Sequence, residues 1–363
     1  MRIFYDGLIY KLQTTGGISR YFHNLISQLP ENYLPLLTAY GSKKTRYPSH
    51  PNLKKFLFPE FKPKRLSEWL EKAYFESILS SHQFDLIHPT YYWMLTGQDM
   101  TQYLCPIVIT LHDMIHERFA KGMDQNNQLA RTKQRAAQIA NLIICVSENT
   151  KQDVLEQYSV PEEKLKVIHL ASELDIGLAY GSEPIPSRPY FLYVGSRNPG
   201  YKNFHTLLKA LAKVISIQPD IGLCVVGSSF NAAEQQLIAE LNLESHIDCY
   251  SGVDDCHLAK LYRCSLAFVY PSLYEGFGIP PLEAMSCGTP VVASNRASIP
   301  EVVGDAGILF EPEAVADLAD ILLSLVENPA ERDRAIQKGF QRSKQFSWKK
   351  TAAETIESYQ SLI

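Results

Sequence analysis

Short apolar runs alternate with longer stretches of mixed apolar and polar residues along both halves of the chain. In the first half the runs are RIFYD (2–6), DLIHPT (85–90), PIVITLHD (106–113), NLIICVS (141–147) and KLKVIHL (164–170). Brief β-rich runs separated by helical stretches predict parallel strands buried on both faces of a doubly wound sheet. The pattern stops at ASELDIGLAYGSEPIPSRP (171–189), which is rich in Gly, Pro, Ser and acidic residues and has no period, as in a linker. It restarts with YFLYVGS (190–196), IGLCVVGS (221–228), HIDCYSG (246–252), LAFVYPS (266–272), PVVAS (290–294) and GILFEP (307–312), a second doubly wound set. The last segment, SWKKTAAETIESYQSLI (347–363), predicts a helix with Ser347 as N-cap. The expected organisation is α/β: a Rossmann-like domain over 1–172, a linker over 173–189, a second Rossmann-like domain over 190–346 and a closing helix over 347–363. Ligands of such sheets bind outside the carboxyl ends of the strands, and two of them face to face make a central cleft.

Length supports this division, since 363 residues exceed one ordinary core. Hydrophobic residues at 45% and charged residues at 20% exclude a disordered or fibrous chain. No run of eighteen apolar residues occurs and the start lacks a signal-peptide pattern, so a cytoplasmic protein is expected. The seven cysteines, 105, 145, 224, 249, 256, 264 and 287, are scattered, mostly within apolar runs, and read as buried thiols. Charge divides unevenly. Residues 1–170 hold 20 Lys+Arg against 16 Asp+Glu, net +4, and residues 171–363 hold 15 against 23, net −8. The positive first half suits an acidic lipid surface or phosphorylated acceptor, and nothing is basic and aromatic enough for a nucleic-acid groove. KKFLFPEFKPKRLSEWLEKAYFESIL (54–79) mixes Lys and Arg with aromatics, so peripheral contact with the inner face of a membrane is one reading and an amphipathic helix with its aromatics inward is the other.

Candidate chemistry gathers around YPSLYEGFGIPPLEAM (270–285). A strand ends near Ser272, Gly276 and Gly278 permit close backbone approach, and Pro280 and Pro281 pre-set a helix start. The helix N-terminus can hold a phosphate, Glu283 in the first turn can accept from ribose hydroxyls, and Glu275 can reach a neighbouring polyol. Taken alone, the pair is better explained as a capping Glu and a solvated Glu. RNPGYKN (197–203) adds Arg197 and Lys202 at another strand end, two cations suited to a diphosphate. No Walker loop and no G-x-G-x-x-G opens either domain, which weighs against nucleoside triphosphatases and dehydrogenases. TTGGISRYF (14–22) offers Gly16 and Gly17 at a helix start, which an ordinary tight turn explains almost equally well, and VITLHDMIHE puts His112 and Asp113 at a strand end, a place for ligands to a sugar. His116 follows His112 by four without H-E-x-x-H, and Asp254 and Asp255 read as solvated, so no metal is expected.

Together, EGFGIPPLE (275–283) with AMSCGTPVVAS, the Arg197/Lys202 pair, TGGISRYF, LHD and the closing FSW helix resemble the retaining glycosyltransferases of the GT-B fold, family 4, over nearly the whole chain. This group includes glucosyl- and mannosyltransferases of bacterial polysaccharide and lipid-sugar assembly. The resemblance implies that Glu283 binds the nucleotide ribose and Glu275 the donor sugar. It places the backbone of Gly276, Phe277, Gly278 and Ile279 on the sugar and the amides near Pro281 and Leu282 at the phosphate. Arg197 and Lys202 would neutralise the diphosphate, Gly16 and Gly17 would approach it, His112 would sit against the sugar, and Val253 would contact the base. It further implies no metal, no cofactor beyond the nucleotide sugar as co-substrate, a final helix returning to the first domain, and a glycan or lipid-linked acceptor. UDP-glucose is the first expected donor and GDP-mannose the second. The chain departs from many members at VIHLASELD, where they carry Asn-Gly-Val-Asp. A glycoside hydrolase would also use two carboxylates but leaves the two cations idle. A sugar-nucleotide epimerase of the same plan, or a non-catalytic nucleotide-sugar-binding protein, is the remaining alternative.

Overall fold

A computed structural model describes residues 1–13, 16–41, 45–59, 61–119, 126–197 and 200–363. The chain divides into two compact units, Met1–Leu170 with Trp348–Ile363, and Ala171–Ser347.

In the first unit the strands are β1 (Arg2–Asp6), β2 (Leu34–Tyr40), β3 (Lys54–Phe58), β4 (Leu86–Ile87), β5 (Val108–Leu111), β6 (Leu142–Cys145) and β7 (Leu165–Val167). All pair in parallel, in the orders β3-β2-β1-β4 and β5-β6-β7, and a parallel bridge between Ile87 and Ile107 joins the two sets. Ile3, Phe4 and Tyr5 of β1 are buried in succession, as a strand covered on both faces requires. Helix Gly17–Ser27 buries Tyr21, Phe22, Leu25 and Ile26, whose spacing puts them on one stripe. Helix Trp348–Gln360 packs on that helix, with Thr351 Oγ1 donating to the carbonyl of His169 at 2.7 Å and Gln360 Nε2 to Tyr33 Oη at 3.2 Å.

Two strands escape the sequence pattern. β2 opens with Leu34 and Pro35 and shows no alternation, and β3 is an edge strand whose Lys54 and Lys55 are exposed, a common guard against edge pairing. The basic, aromatic segment 54–79 is therefore β3 followed by helix Lys64–Ser81, which begins after Pro63. Its aromatics split: Phe75 is buried and Trp69 is 66% exposed.

The second unit holds β8 (Tyr190–Val194), β9 (Gly222–Val226), β10 (Ile247–Tyr250), β11 (Phe268–Tyr270), β12 (Val291–Ser294) and β13 (Gly307–Phe310). Their order is β10-β9-β8-β11-β12-β13, all parallel, so the winding reverses between β8 and β11. Alternate residues feed two cores. Phe191 and Tyr193 join one with helices Phe204–Ile217 and Val315–Glu327, whereas Tyr190 and Leu192 join the other with helices Asp255–Cys264 and Ile279–Ser286. The segment expected as a linker is part of this second core, because Leu174 and Ala179 are buried in it. The thiols also differ from expectation. Cys145, Cys224 and Cys287 are buried, Cys105 and Cys264 half-buried, and Cys249 and Cys256 exposed, Cys249 because β10 is an edge strand with one face in solvent. Among the described residues no helix is long and apolar enough to cross a membrane.

Candidate functional site

The winding reversal of the second unit brings together the exits of β8 and β11, the position where open α/β sheets place ligands. After β8 the chain turns at Gly195, with φ +134, and reaches Arg197. Asn198 and Pro199 of the RNPGYKN motif lie outside the described residues, as do Thr14 and Thr15 of TTGGISRYF. The exits are tied by buried polar groups that sequence reading missed. Asn203, in the left-handed region at φ 54, donates from Nδ2 to the carbonyls of Pro271 at 3.0 Å and Pro312 at 2.8 Å. Leu273 N donates to the Tyr201 carbonyl at 2.7 Å. Ser298 Oγ reaches the carbonyls of Glu275 at 2.9 Å and Phe277 at 2.7 Å, which fixes the turn between Glu275 and the next helix.

On this frame Lys202 Nζ donates to Glu275 Oε1 at 2.7 Å, beside the rings of Tyr201 and Tyr270. Both side chains are largely buried, so neither charge is left to an apolar neighbourhood without its counterion. Burial, and then the adjacent Glu275 carboxylate, hold the Tyr270 hydroxyl well above its ordinary pKa, so it stays protonated. Arg197 is 7% exposed; its Nε donates to Glu234 Oε1 at 2.9 Å and its Nη2 to the carbonyls of Ser228 at 2.6 Å and Ser229 at 3.0 Å. The structure thus brings both expected cations to the strand exits and gives each a carboxylate partner.

The turn corrects two expectations. Gly278, at φ +124, ends the turn, and the helix runs Ile279–Ser286. Glu283 is therefore in the second turn rather than the first, and stabilisation by the helix dipole does not account for it. Its side chain points inward, where Tyr262 Oη donates to Oε2 at 3.1 Å, and only 7% of Glu283 is exposed. Burial, with Glu283 second, pushes the neighbouring Cys287 thiol up to about 12. The second correction concerns the phosphate donors. Proline carries no N–H, so of the four leading amides Gly278 and Ile279 supply donors while Pro280 and Pro281 supply none, and the Leu282 amide falls where helical bonding begins. Gly276, Phe277, Pro281 and Leu282 are buried in this turn and helix, and Ile279 is half-buried. Val253 is half-buried after Gly252 at φ +67. The acidic pair that follows has a local role, since Asp254 caps its helix by accepting from His257 N at 2.9 Å.

In the first unit Gly16 caps helix Gly17–Ser27, and a Cβ on Gly17 would meet open space. His112 ends the β5 run with its ring edge-on to Tyr21 at 5.3 Å. Burial pulls its imidazole down to about 4, with Asp113 raising it and Lys133 lowering it, so the ring is neutral near pH 7. Its Nε2 is buried and has no hydrogen-bond partner among the described residues. Asp113 pairs with buried Lys133 at 3.5 Å, and Lys133 also reaches Glu117 at 3.0 Å. Behind them lies His88, whose Nδ1 is 2.6 Å from Tyr359 Oη and whose Nε2 is 2.9 Å from Thr110 Oγ1. Asp6 at the β1 exit accepts from the amides of Leu95 at 2.7 Å and Thr96 at 3.3 Å. Burial pushes the Asp6 carboxyl up to about 7 despite those bonds. Of Lys133, His88 and Tyr359, only His88 had a sequence signal, as a polar residue closing a strand-like run.

Comparison with known proteins agrees with this fold. The family model described as "Glycosyl transferases group 1" matches residues 181–342, and that described as "Glycosyltransferase Family 4" matches residues 15–175. The O-antigen chain mannosyltransferase B of Escherichia coli is 30% identical over 310 residues, covering 82% of this chain and 78% of that protein. An MMP alpha-(1->4)-mannosyltransferase of Mycolicibacterium hassiacum is 33% identical over 236 residues, 64% of this chain and 56% of that one. Among solved structures, sucrose-phosphate synthase from Thermosynechococcus elongatus superposes with a TM-score of 0.78 at 19% identity, covering 99% and 98% of the two chains. Anabaena Alr3699/HepE in complex with UDP-glucose gives 0.72 at 21% identity, covering 99% of each. These two likenesses speak to the fold.

Proposed function

This chain belongs to the family 4 glycosyltransferases of the GT-B fold, and from that premise we propose that it moves a hexosyl group from a nucleotide-diphosphate sugar to a glycan acceptor, with retention and without a metal. The observation that carries the reading is the Lys202–Glu275 pair at the winding reversal. When the donor enters, its diphosphate draws Lys202 away from Glu275, and the carboxylate is released to accept from the sugar's hydroxyls. Glu283 takes the ribose hydroxyls, and the amides of Gly278 and Ile279 face the phosphate. As the bond between the anomeric carbon and the phosphate oxygen breaks, negative charge grows on the leaving diphosphate, and Lys202 and Arg197 stabilise it. The acceptor oxygen bonds to the anomeric carbon on the face being vacated and passes its proton to the departing phosphate oxygen. Arg197 and Lys202 provide the charge that a metal supplies in other transferases.

The relatives sharing 30% and 33% identity are named mannosyltransferases, which moves a mannosyl donor such as GDP-mannose ahead of UDP-glucose. For the acceptor we propose a growing glycan, bare or lipid-linked. Exposed Leu66 and Trp69, with Lys64 and Lys72 on the same helix, support peripheral contact with an anionic membrane. Calorimetric titration of GDP, UDP, ADP and their sugar conjugates, without metal, into the native protein and Glu283→Ala tests the reading. Binding by one nucleoside diphosphate, weakened in the variant, supports it; binding by none refutes it. Turnover that persists in EDTA and gives a product of unchanged anomeric configuration completes the test.

A further inference from the structure

Arg197 has five N–H donors, and their partners are unevenly assigned. Nε is taken by Glu234, and Nη2 by the carbonyls of Ser228 and Ser229. Nη1 is buried and has no partner among the described residues. The guanidinium cannot swing to satisfy it. Its carbon lies 4.6 Å from the centre of the Phe230 ring and 5.5 Å from that of Phe204, and its Nε and Nη2 bonds hold the plane between them. Glu234 is itself held, because its Oε2 accepts from Asn231 N at 2.9 Å while Asn231 Oδ1 accepts from Glu234 N at 3.0 Å, a capping box at the start of helix Ala232–Glu240.

A buried guanidinium that keeps one nitrogen unpaired bears a desolvation cost unless a ligand completes it. We propose that Glu234 is a positioning residue for the transfer reaction: it clamps the Nε edge of Arg197 so that Nη1 alone is presented to the donor's diphosphate. The inference rests on the assignment of Arg197 to that diphosphate. Glu234 does not touch the donor. Its action is on the direction and the effective charge of Arg197, so its removal should be felt by the second phosphate and not by the nucleoside.

The experiment measures the ratio of affinities for GDP and GMP, or UDP and UMP, whichever base binds, in the full chain. Glu234→Ala should lose about tenfold in diphosphate affinity, the low end for groups that orient a first contact, with the monophosphate nearly unchanged. Glu234→Gln keeps both the cap and an acceptor for Nε, and should restore most of the loss. Asn231→Ala weakens the helix start without removing Arg197's partner, and should leave the ratio alone. An unchanged ratio in Glu234→Ala, an equal loss in Asn231→Ala, or no restoration by Glu234→Gln overturns the proposal. So does tighter diphosphate binding in Glu234→Ala, since the carboxylate would then be a competitor for the guanidinium. A wild-type ratio in Arg197→Ala removes the diphosphate assignment itself, whereas a changed ratio there beside an unchanged one in Glu234→Ala removes the positioning role alone.

Discussion

Where the winding reverses in the second unit, between β8 and β11, the strand exits carry two ion pairs, Lys202–Glu275 at 2.7 Å and Arg197–Glu234 at 2.9 Å. Where it reverses in the first, between β1 and β4, they carry Asp6, His88 and Thr90, all fully or almost fully buried and joined by hydrogen bonds to amides, hydroxyls and carbonyls. The backbone plan is the same and the chemistry is opposite. On the proposed reading Lys202 is re-partnered when an incoming phosphate takes the place of the Glu275 carboxylate, whereas Arg197 keeps Glu234 and offers its remaining nitrogen. A network already satisfied inside the protein has nothing to exchange, and holds its strands in place instead.

The largest expected effect separates the two by activity. Lys202→Ala should lower transfer by about 10²–10³-fold, the scale on which a donor aimed at developing charge acts, while the urea midpoint stays close to that of the native chain. An activity loss matched by a general loss of stability would show that the pair is structural, like its counterpart in the first unit. Tyr359→Phe should do the reverse. It strips the hydroxyl from His88 Nδ1 and from Tyr5 Oη, 3.3 Å away, and should cost about 1–3 kcal/mol, read by hydrogen exchange at the amides of β1 and β4, with nucleotide binding intact.

Acid should also find the first unit first. Burial pulls His88 down to about 3 and His112 to about 4 from 6.5, so the unfolded chain takes up protons in that interval and the folded one does not. Each histidine removes on the order of 1 kcal/mol of stability per pH unit as pH falls from 6.5 toward 4. Asp6 acts the other way, because its raised pKa lets the folded state bind a proton before the unfolded state does, and stability from that group grows between pH 7 and 3.8. The net is a loss, and Asp6→Asn should steepen it in denaturation curves taken at pH 7 and pH 5. A shallower dependence in the variant would mean that Asp6 does not offset the histidines. The smallest effect belongs to the surface. Trp69→Ala should change stability by less than about 0.5 kcal/mol, as surface substitutions do, while weakening co-sedimentation with anionic phospholipid vesicles.

The second unit was the more legible from sequence, and the reason is physical. Strands β8 and β9 lie inside its six-stranded sheet and read as the unbroken apolar runs YFLYV and GLCVV, whereas β2 and β3 of the first unit lie toward an edge and mix Pro and Lys into short runs. The chemistry divided differently, within the second unit itself. Arg197 with Lys202, and Glu275 with Glu283, stand in two motifs, each with its own local spacing. Glu234, Tyr262, Asn203 and Ser298 reach the site from elements 21 to 109 residues away in sequence from the groups they hold, a relation that periodicity cannot display. The position of Glu283 in the helix turned on where Gly278 adopts φ +124, which the letters GFGIPP leave undecided between two glycines.

Helix Trp348–Gln360 completes the first unit from the far side of the second in the order of synthesis. On the ribosome, residues 1–170 emerge and wait while 171–347 are made, and during that time the packing surface on helix Gly17–Ser27 is open and His88 has no Tyr359. The second unit, continuous in sequence, can close as soon as it is clear of the exit tunnel. A nascent first unit with an unfilled apolar trough is the species that chaperones capture, and a stop codon before 348 would make that state permanent.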